Sequence, residues 1–172
     1  MFAPITRASV HALPLLARLT FAAVLLRYFW SSALTKLDGP FTPTFNAYAQ
    51  IFPRQMEAAG YDISGFGLWH WAVIMAGSYA ELVLPLLILL GLATRLAALG
   101  MIGFVIVQSL TDIIGHGVGA ATIGALFDRA SDGLILDQRA LWMFLLLSIV
   151  GLGGGWFSLD RVIAKRLPGL SA

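Results

Sequence analysis

Four stretches of this chain are long and apolar enough to cross a membrane, and that feature constrains the fold more than any other. They cover residues 13–34, 68–92, 96–114 and 140–157. Each approaches or exceeds the ~20 residues that bridge ~30 Å of hydrocarbon at a rise of ~1.5 Å per residue. With 59% hydrophobic and only 12% charged residues, the chain has too much apolar surface to hide from water. The expected fold is all-α: a polytopic membrane protein of one domain, residues 1–172, built as an antiparallel bundle of four transmembrane helices.

The first stretch could be taken for a signal peptide, because Arg7 and an apolar run follow the start. Arg18 and Arg27 interrupt its apolar core and no A-x-A site follows, so it reads as a retained span. Only Ala93-Thr94-Arg95 joins the second and third stretches, which makes them a tight antiparallel pair. Lys and Arg set the orientation, since cytoplasmic segments keep an excess of them. Arg7, Arg18, Arg95, Arg161, Lys165 and Arg166 fall on one side, and Lys36, Arg54, Arg129 and Arg139 on the other. The topology expected is N-in/C-in, with outer loops at 38–67 and 115–138.

The first outer loop contains FNAYAQIFPRQMEAAG, with Phe45, Tyr48, Ile51 and Phe52 at about helical spacing. It predicts an interfacial helix broken at Pro53, acting as a cap over the bundle mouth or as a lid that grips a ligand. The second loop is rich in Gly and Asp and is expected to be irregular. A net charge of +2 without a basic run gives no support for a nucleic-acid partner. The absence of cysteine excludes disulfides, thiol redox chemistry, Cys-ligated zinc and covalent haem c in this chain.

Charges inside the spans mark the candidate site. Glu81 falls near the middle of the second stretch, where an ionised carboxylate costs ~2.5–3.5 kcal/mol on insertion scales. Pro85 lacks the N–H that would bond the carbonyl of residue 81, so a kink is expected there, with that carbonyl free. His70, Gly77 and Glu81 share a helical face, and Gly77 allows close approach of a helix or ligand. Gln108, Asp112 and His116 recur every four residues along the third stretch. Arg27, with Thr20 and Ser31 on a similar face, is expected to pair with Glu81 or Asp112. Glu81, Asp112 and Arg27 are thus the candidates for chemistry, and His70, Gln108, His116 and Gly77 for holding a ligand or cofactor. Each has a plainer alternative: a structural ion pair for Arg27, and solvation near the interface for the two histidines. No H-x-x-E or H-x-x-x-H spacing joins these groups on one helix, so no metal site is expected. Arg18 and Arg95 are expected to snorkel to lipid phosphates, and Ser148, Gly151 and Gly155 to form a small-residue packing face.

Three segments carry a family resemblance. ARLTFAAVLL…LTKL in the first stretch, AELVLPLLILLGLATRLAALG across the tight turn and LLLSIVGLGGGWFSLD at the end of the fourth resemble the DoxX family of small bacterial four-helix membrane proteins. The distinctive elements are Glu81 followed by Leu90-Gly91-Leu92-Ala93-Thr94-Arg95, and Trp156–Asp160. The likeness runs from Leu13 to Asp160. Where the family often has a glycine pair after the Glu, this chain has Leu84-Pro85.

The family is named for a subunit of a thiosulfate:quinone oxidoreductase, and relatives occur in membrane complexes that handle thiols and oxidative stress. The resemblance therefore implies a multi-pass protein of the bacterial inner membrane, in contact with lipid and with a protein partner or a second copy. It also implies a quinone-linked redox subunit, in which Arg27 and His70 donate hydrogen bonds to a quinone while Glu81 and Asp112 carry protons. The alternative is a non-catalytic anchor that docks a soluble protein on its outer loops. A small-solute permease is less favoured, because no inverted repeat is present.

Overall fold

The computed structural model describes residues 3–166, with side chains from residue 12 onward. Four of its helices are long and apolar enough to cross a membrane: Ala12–Lys36, Leu68–Leu90, Thr94–Gly115 and Leu134–Leu152. They form a ring in which each packs against its neighbours in sequence and the fourth closes on the first. The core between them is built from Phe21, Leu25 and Phe29 of the first helix and Ile88 of the second. Ala97, Ala98, Met101 and Val105 of the third and Leu146 and Ile149 of the fourth complete it. Edge-on contacts of Phe29 with Phe104 at 5.9 Å and of Tyr28 with Trp142 at 5.4 Å extend it toward the loops. Large apolar side chains such as Leu13, Leu16, Leu96, Leu141 and Phe144 face outward. This outward apolar coat suits lipid. Helix association is then driven by close packing and hydrogen bonding rather than by expulsion of water.

Several helix ends differ from the sequence expectation. The first helix continues to Lys36, two residues beyond the expected 34. The second stops at Leu90 because Gly91 turns left-handed at φ 67°. A Cβ on Gly91 would come 2.6 Å from both Arg18 Cζ and Ser158 Cβ, so conformation and space both require glycine there. The fourth helix runs 134–152 rather than 140–157. It starts earlier because Arg139 is paired inside the bundle, and it stops where Gly153 takes φ 77°. The expected packing face of Ser148, Gly151 and Gly155 is therefore not formed: Gly155 lies past the helix, Gly151 is exposed with nothing within 4 Å of a Cβ built on it, and Ser148 is half-buried. The second helix also passes through the buried Pro85 as one uninterrupted helix. The Trp30 indole N–H donates to the carbonyl of Leu82 at 3.0 Å, beside the donor position that proline leaves empty.

The two ends of the bundle are built differently. At one end lie the long loops. After Lys36 a short ribbon pairs Leu37–Gly39 with Thr42–Pro43, and two short helices follow, Phe45–Ile51 and Pro53–Ala58, broken at Phe52–Pro53 as the sequence predicts. The 115–138 loop holds only one helical turn, Ala120–Ile123, before the fourth helix begins. At the other end a short turn and the final helix, Leu159–Arg166, form a compact clasp.

Candidate functional site

A cavity of about 490 Å³ opens between the second and third helices in the half of the bundle nearer the loops. It exists because the facing positions are small. Gly77 and Gly103 line it, and a Cβ built on either would meet nothing within 4 Å. Gln50 and Ile51 of the first loop helix overhang the same cavity.

Lys36 and Glu81 form an ion pair in its wall. The ammonium lies 2.9 Å from Glu81 Oε2 and 3.1 Å from Oε1. It also donates to the Ser32 hydroxyl at 2.6 Å and the Ser32 carbonyl at 3.1 Å, while that hydroxyl donates to Glu81 Oε1 at 3.1 Å. Glu81 is 1% and Lys36 7% exposed. Buried charges in so apolar a setting persist only when matched by an opposite charge and saturated with hydrogen bonds, and both conditions hold.

A second ion pair stands at the cavity mouth. Arg139 Nη2 lies 2.6 Å from Asp112 Oδ2, and Nη1 donates to Ser109 Oγ at 3.0 Å. Arg139 Nε is buried without a hydrogen-bond partner among the described residues. Gln108 donates to Tyr28 Oη at 3.1 Å and leaves its own Oε1 buried and unpartnered. His116 Nε2 lies 3.0 Å from the Gln50 carbonyl, which can only accept, so this nitrogen carries the hydrogen.

Five of the seven residues singled out from the sequence therefore line one cavity: Gly77, Glu81, Gln108, Asp112 and His116. The other two do not. Arg27 is exposed on the outer face of the bundle, with no hydrogen-bond or ion-pair partner among the described residues; its expected pairing with Glu81 or Asp112 is replaced by Lys36 and Arg139. The reason is helical phase. Leu25 and Phe29 define the buried face, and a residue two positions from each points about 200° away. His70 lies outside the cavity, its ring against the edges of Phe52 and Phe66 at 4.9 and 4.6 Å and its Nε2 2.8 Å from Gln55 Oε1. It joins the second helix to the loop helices that cover the mouth.

Lys36 and Ser32, which line the cavity, and Arg139, which pairs with Asp112 at its mouth, are the residues that the sequence reading missed. A usable signal exists: Lys36 follows Phe29 by seven residues and Arg139 precedes Leu146 by seven, so each extends a buried face. No group of three or more His, Cys, Asp or Glu that could hold a metal occurs among the described residues. In the first loop, the backbone N–H and then the hydroxyl of Ser64 bond Asp62 and hold its carboxyl below the usual range, remote from the cavity.

Arg18 and Asp160 of the clasp use their polar groups within the fold. Arg18, 2% exposed, donates through Nε to the Ile88 carbonyl at 2.8 Å, through Nη2 to Leu89 at 2.5 Å and through Nη1 to Gly154 at 2.7 Å. It thereby satisfies the carbonyls that end the second helix and pins the glycine turn after the fourth. The expectation that Arg18 reaches lipid phosphates is thus corrected. Asp160 accepts from the N–H of Ala93 at 2.6 Å and from the N–H and hydroxyl of Thr94 at 2.9 and 2.6 Å, which caps the third helix. Its own N–H donates to the Gly91 carbonyl at 2.9 Å.

Neither a curated protein nor a solved structure matches the chain significantly. The DoxX family model matches residues 13–112, from the first helix through the cavity carboxylate Asp112. That match takes in nearly all of the first three membrane-length helices, Glu81 and the Leu90–Arg95 turn, and the chain belongs to the DoxX family.

Proposed function

We propose that the protein is the membrane subunit of a quinone-linked redox complex in the bacterial inner membrane, with both termini on the cytoplasmic side, and that the cavity receives the quinone ring. One observation carries this reading: a cavity of about 490 Å³ with small-residue walls, a buried Lys36–Glu81 pair in one wall and Gln108 and His116 nearer the loops. Sites for small ligands and cofactors are commonly of this size, mostly apolar, with a few placed polar groups.

In this reading Lys36 turns one N–H from Ser32 toward a ring oxygen. This favours reduction, because the positive charge stabilises the negative charge that develops on the oxygen. Reduction to quinol takes two electrons and two protons. In the same reading Glu81 passes protons to the ring, and Asp112 and His116 replenish them from the loop end. The sequence contains no cysteine to hold an electron carrier, so the electrons come from a partner subunit or directly from its substrate. The partner is a second membrane or soluble protein, or another copy of this chain.

Purification in native lipid followed by mass spectrometry tests the reading. A quinone retained at about one per chain, and reduced to the level of bulk lipid in Gly77→Leu, is expected. Equal quinone content in both proteins overturns it. The natural absence of cysteine suits single-cysteine labelling of the topology: exposed Phe41→Cys and Leu126→Cys should react from outside the cell, and reaction only after permeabilisation inverts the orientation.

A further inference from the structure

A second groove, of about 500 Å³, lies at the clasp end, between the start of the third helix and the glycine turn after the fourth. We propose that it is a binding site for the headgroup of an anionic phospholipid, with Arg95 and Arg161 as the residues that hold the phosphate. Both guanidinium groups line the groove and both are exposed. Arg95 makes one long hydrogen bond, 3.4 Å to the Gly151 carbonyl, and the Arg161 side chain makes none among the described residues. The acidic residue in the groove, Asp160, is ion-paired with neither of them, its oxygens accepting three hydrogen bonds from Ala93 and Thr94, and the two guanidinium charges outnumber it. The groove thus offers two guanidinium groups with N–H donors to spare, and phosphate is the anion their planar forks fit.

The surroundings select a lipid rather than a free anion. The groove lies where two membrane-length helices end, at Leu152 and Thr94, which is the depth of headgroups. Leu96 and Leu152 line it and are exposed, ready to lie along acyl chains. The helix Leu159–Arg166 that carries Arg161 is itself amphipathic, the pattern of helices that lie at a membrane interface. Leu159, Val162 and Ile163 form one exposed apolar face, and Arg161 and Lys165, four apart, lie on the opposite side. A basic pocket beside such a helix attracts anionic lipids both by direct contact and through the surface potential of the leaflet. The site is separate from the quinone cavity at the other end of the bundle and does not depend on its occupant.

Native mass spectrometry of the full chain, after graded delipidation from mixed phosphatidylglycerol and phosphatidylcholine nanodiscs, tests the proposal. Wild type should retain phosphatidylglycerol over phosphatidylcholine by about tenfold. Arg95→Gln/Arg161→Gln should lose that preference, and Arg161→Gln alone, on an exposed helix, should lose a large part of it while unfolding at the same temperature in phosphatidylcholine alone. Preference unchanged in both variants overturns the proposal. Inorganic phosphate at millimolar concentration should leave the retained lipid in place; displacement of the lipid by phosphate alone assigns the groove to a free anion and overturns it too.

Discussion

The two ends of this bundle use buried charge in opposite ways. At the clasp end, Arg18 and Asp160 spend nearly all their hydrogen-bonding capacity on groups left open where helices stop, and although Asp160 borders the clasp groove its oxygens are already bonded to Ala93 and Thr94. At the loop end, Lys36 with Glu81 and Arg139 with Asp112 pair side chain to side chain, across helices, and three of the four line a cavity. The first arrangement solves a hydrogen-bonding problem that every turn between helices has. The second places ions where the fold has no backbone group to satisfy. An ion pair replaced by apolar residues of similar size often stabilises a fold, so stability alone gives no reason to keep one beside an open cavity.

The comparison breaks most visibly at Arg18. Arg18→Met removes the donors to the Ile88, Leu89 and Gly154 carbonyls at once and leaves part of them buried without partners. It should destabilise the protein by about 4–5 kcal/mol, read by thermal unfolding in detergent, with little protein recovered at the growth temperature. A loss below 1 kcal/mol would show that the clasp is not what closes this end.

The cavity pair should respond differently to single and double replacement. Glu81→Gln leaves the Lys36 ammonium in the bundle without its counter-ion, at about 3 kcal/mol. Lys36→Met/Glu81→Leu removes both charges and should recover most of that stability while abolishing quinone retention. The clasp offers no such rescue, because a backbone carbonyl cannot be mutated away. A double variant that still retains quinone would reduce the Lys36–Glu81 pair to a packing device.

These contrasts explain which parts of the molecule are legible in the sequence. The four spans are legible because length and apolarity are local properties, and the break at Pro53 because proline acts on its own backbone. The polar stripe Gln108, Asp112 and His116 is legible because its four-residue spacing brings all three to the cavity, even though the last turn, Thr111–Gly115, is wound as a π-helix and His116 lies just past it. Lys36 and Arg139 are hidden because each follows or precedes an apolar run, where a charge looks interfacial; only the partner across the bundle reveals it as buried. Arg27 misleads for the converse reason. The expense of a charge in lipid argues for the interior, whereas the position of Leu25 and Phe29 on the helix argues against it, and geometry prevails. The Trp156–Asp160 segment reads as a family mark from the sequence, and Asp160 proves to be the cap of a helix more than sixty residues away in the chain.

Filling the cavity should separate binding from stability. At Gly77 a Cβ meets nothing within 4 Å, so Gly77→Leu projects into the cavity and should change stability by no more than about 1 kcal/mol, with leucine's helix preference over glycine acting in its favour. Quinone content should nevertheless fall at least tenfold. At the clasp the same kind of substitution behaves oppositely: Gly91→Ala drives a methyl to 2.6 Å from Arg18 and Ser158 and should unfold that end without touching the cavity.

The smallest effect is expected at Arg27, and it is the sharpest check on how the charges are divided. Arg27 carries the same formal charge as Arg18 and lies in the same helix, nine residues away, yet it faces outward and bonds nothing among the described residues. Arg27→Gln should therefore shift stability by less than about 0.5 kcal/mol and leave quinone retention at the wild-type level. A loss of quinone comparable to that of the Lys36–Glu81 double variant would mean that the first helix rotates to bring Arg27 into the cavity, exchanging it for Lys36 as the partner of Glu81. A large loss of stability without loss of quinone would instead place a carboxylate from another chain against this face, since the described carboxylates within the spans, Glu81, Asp112 and Asp137, already accept hydrogen bonds inside this one.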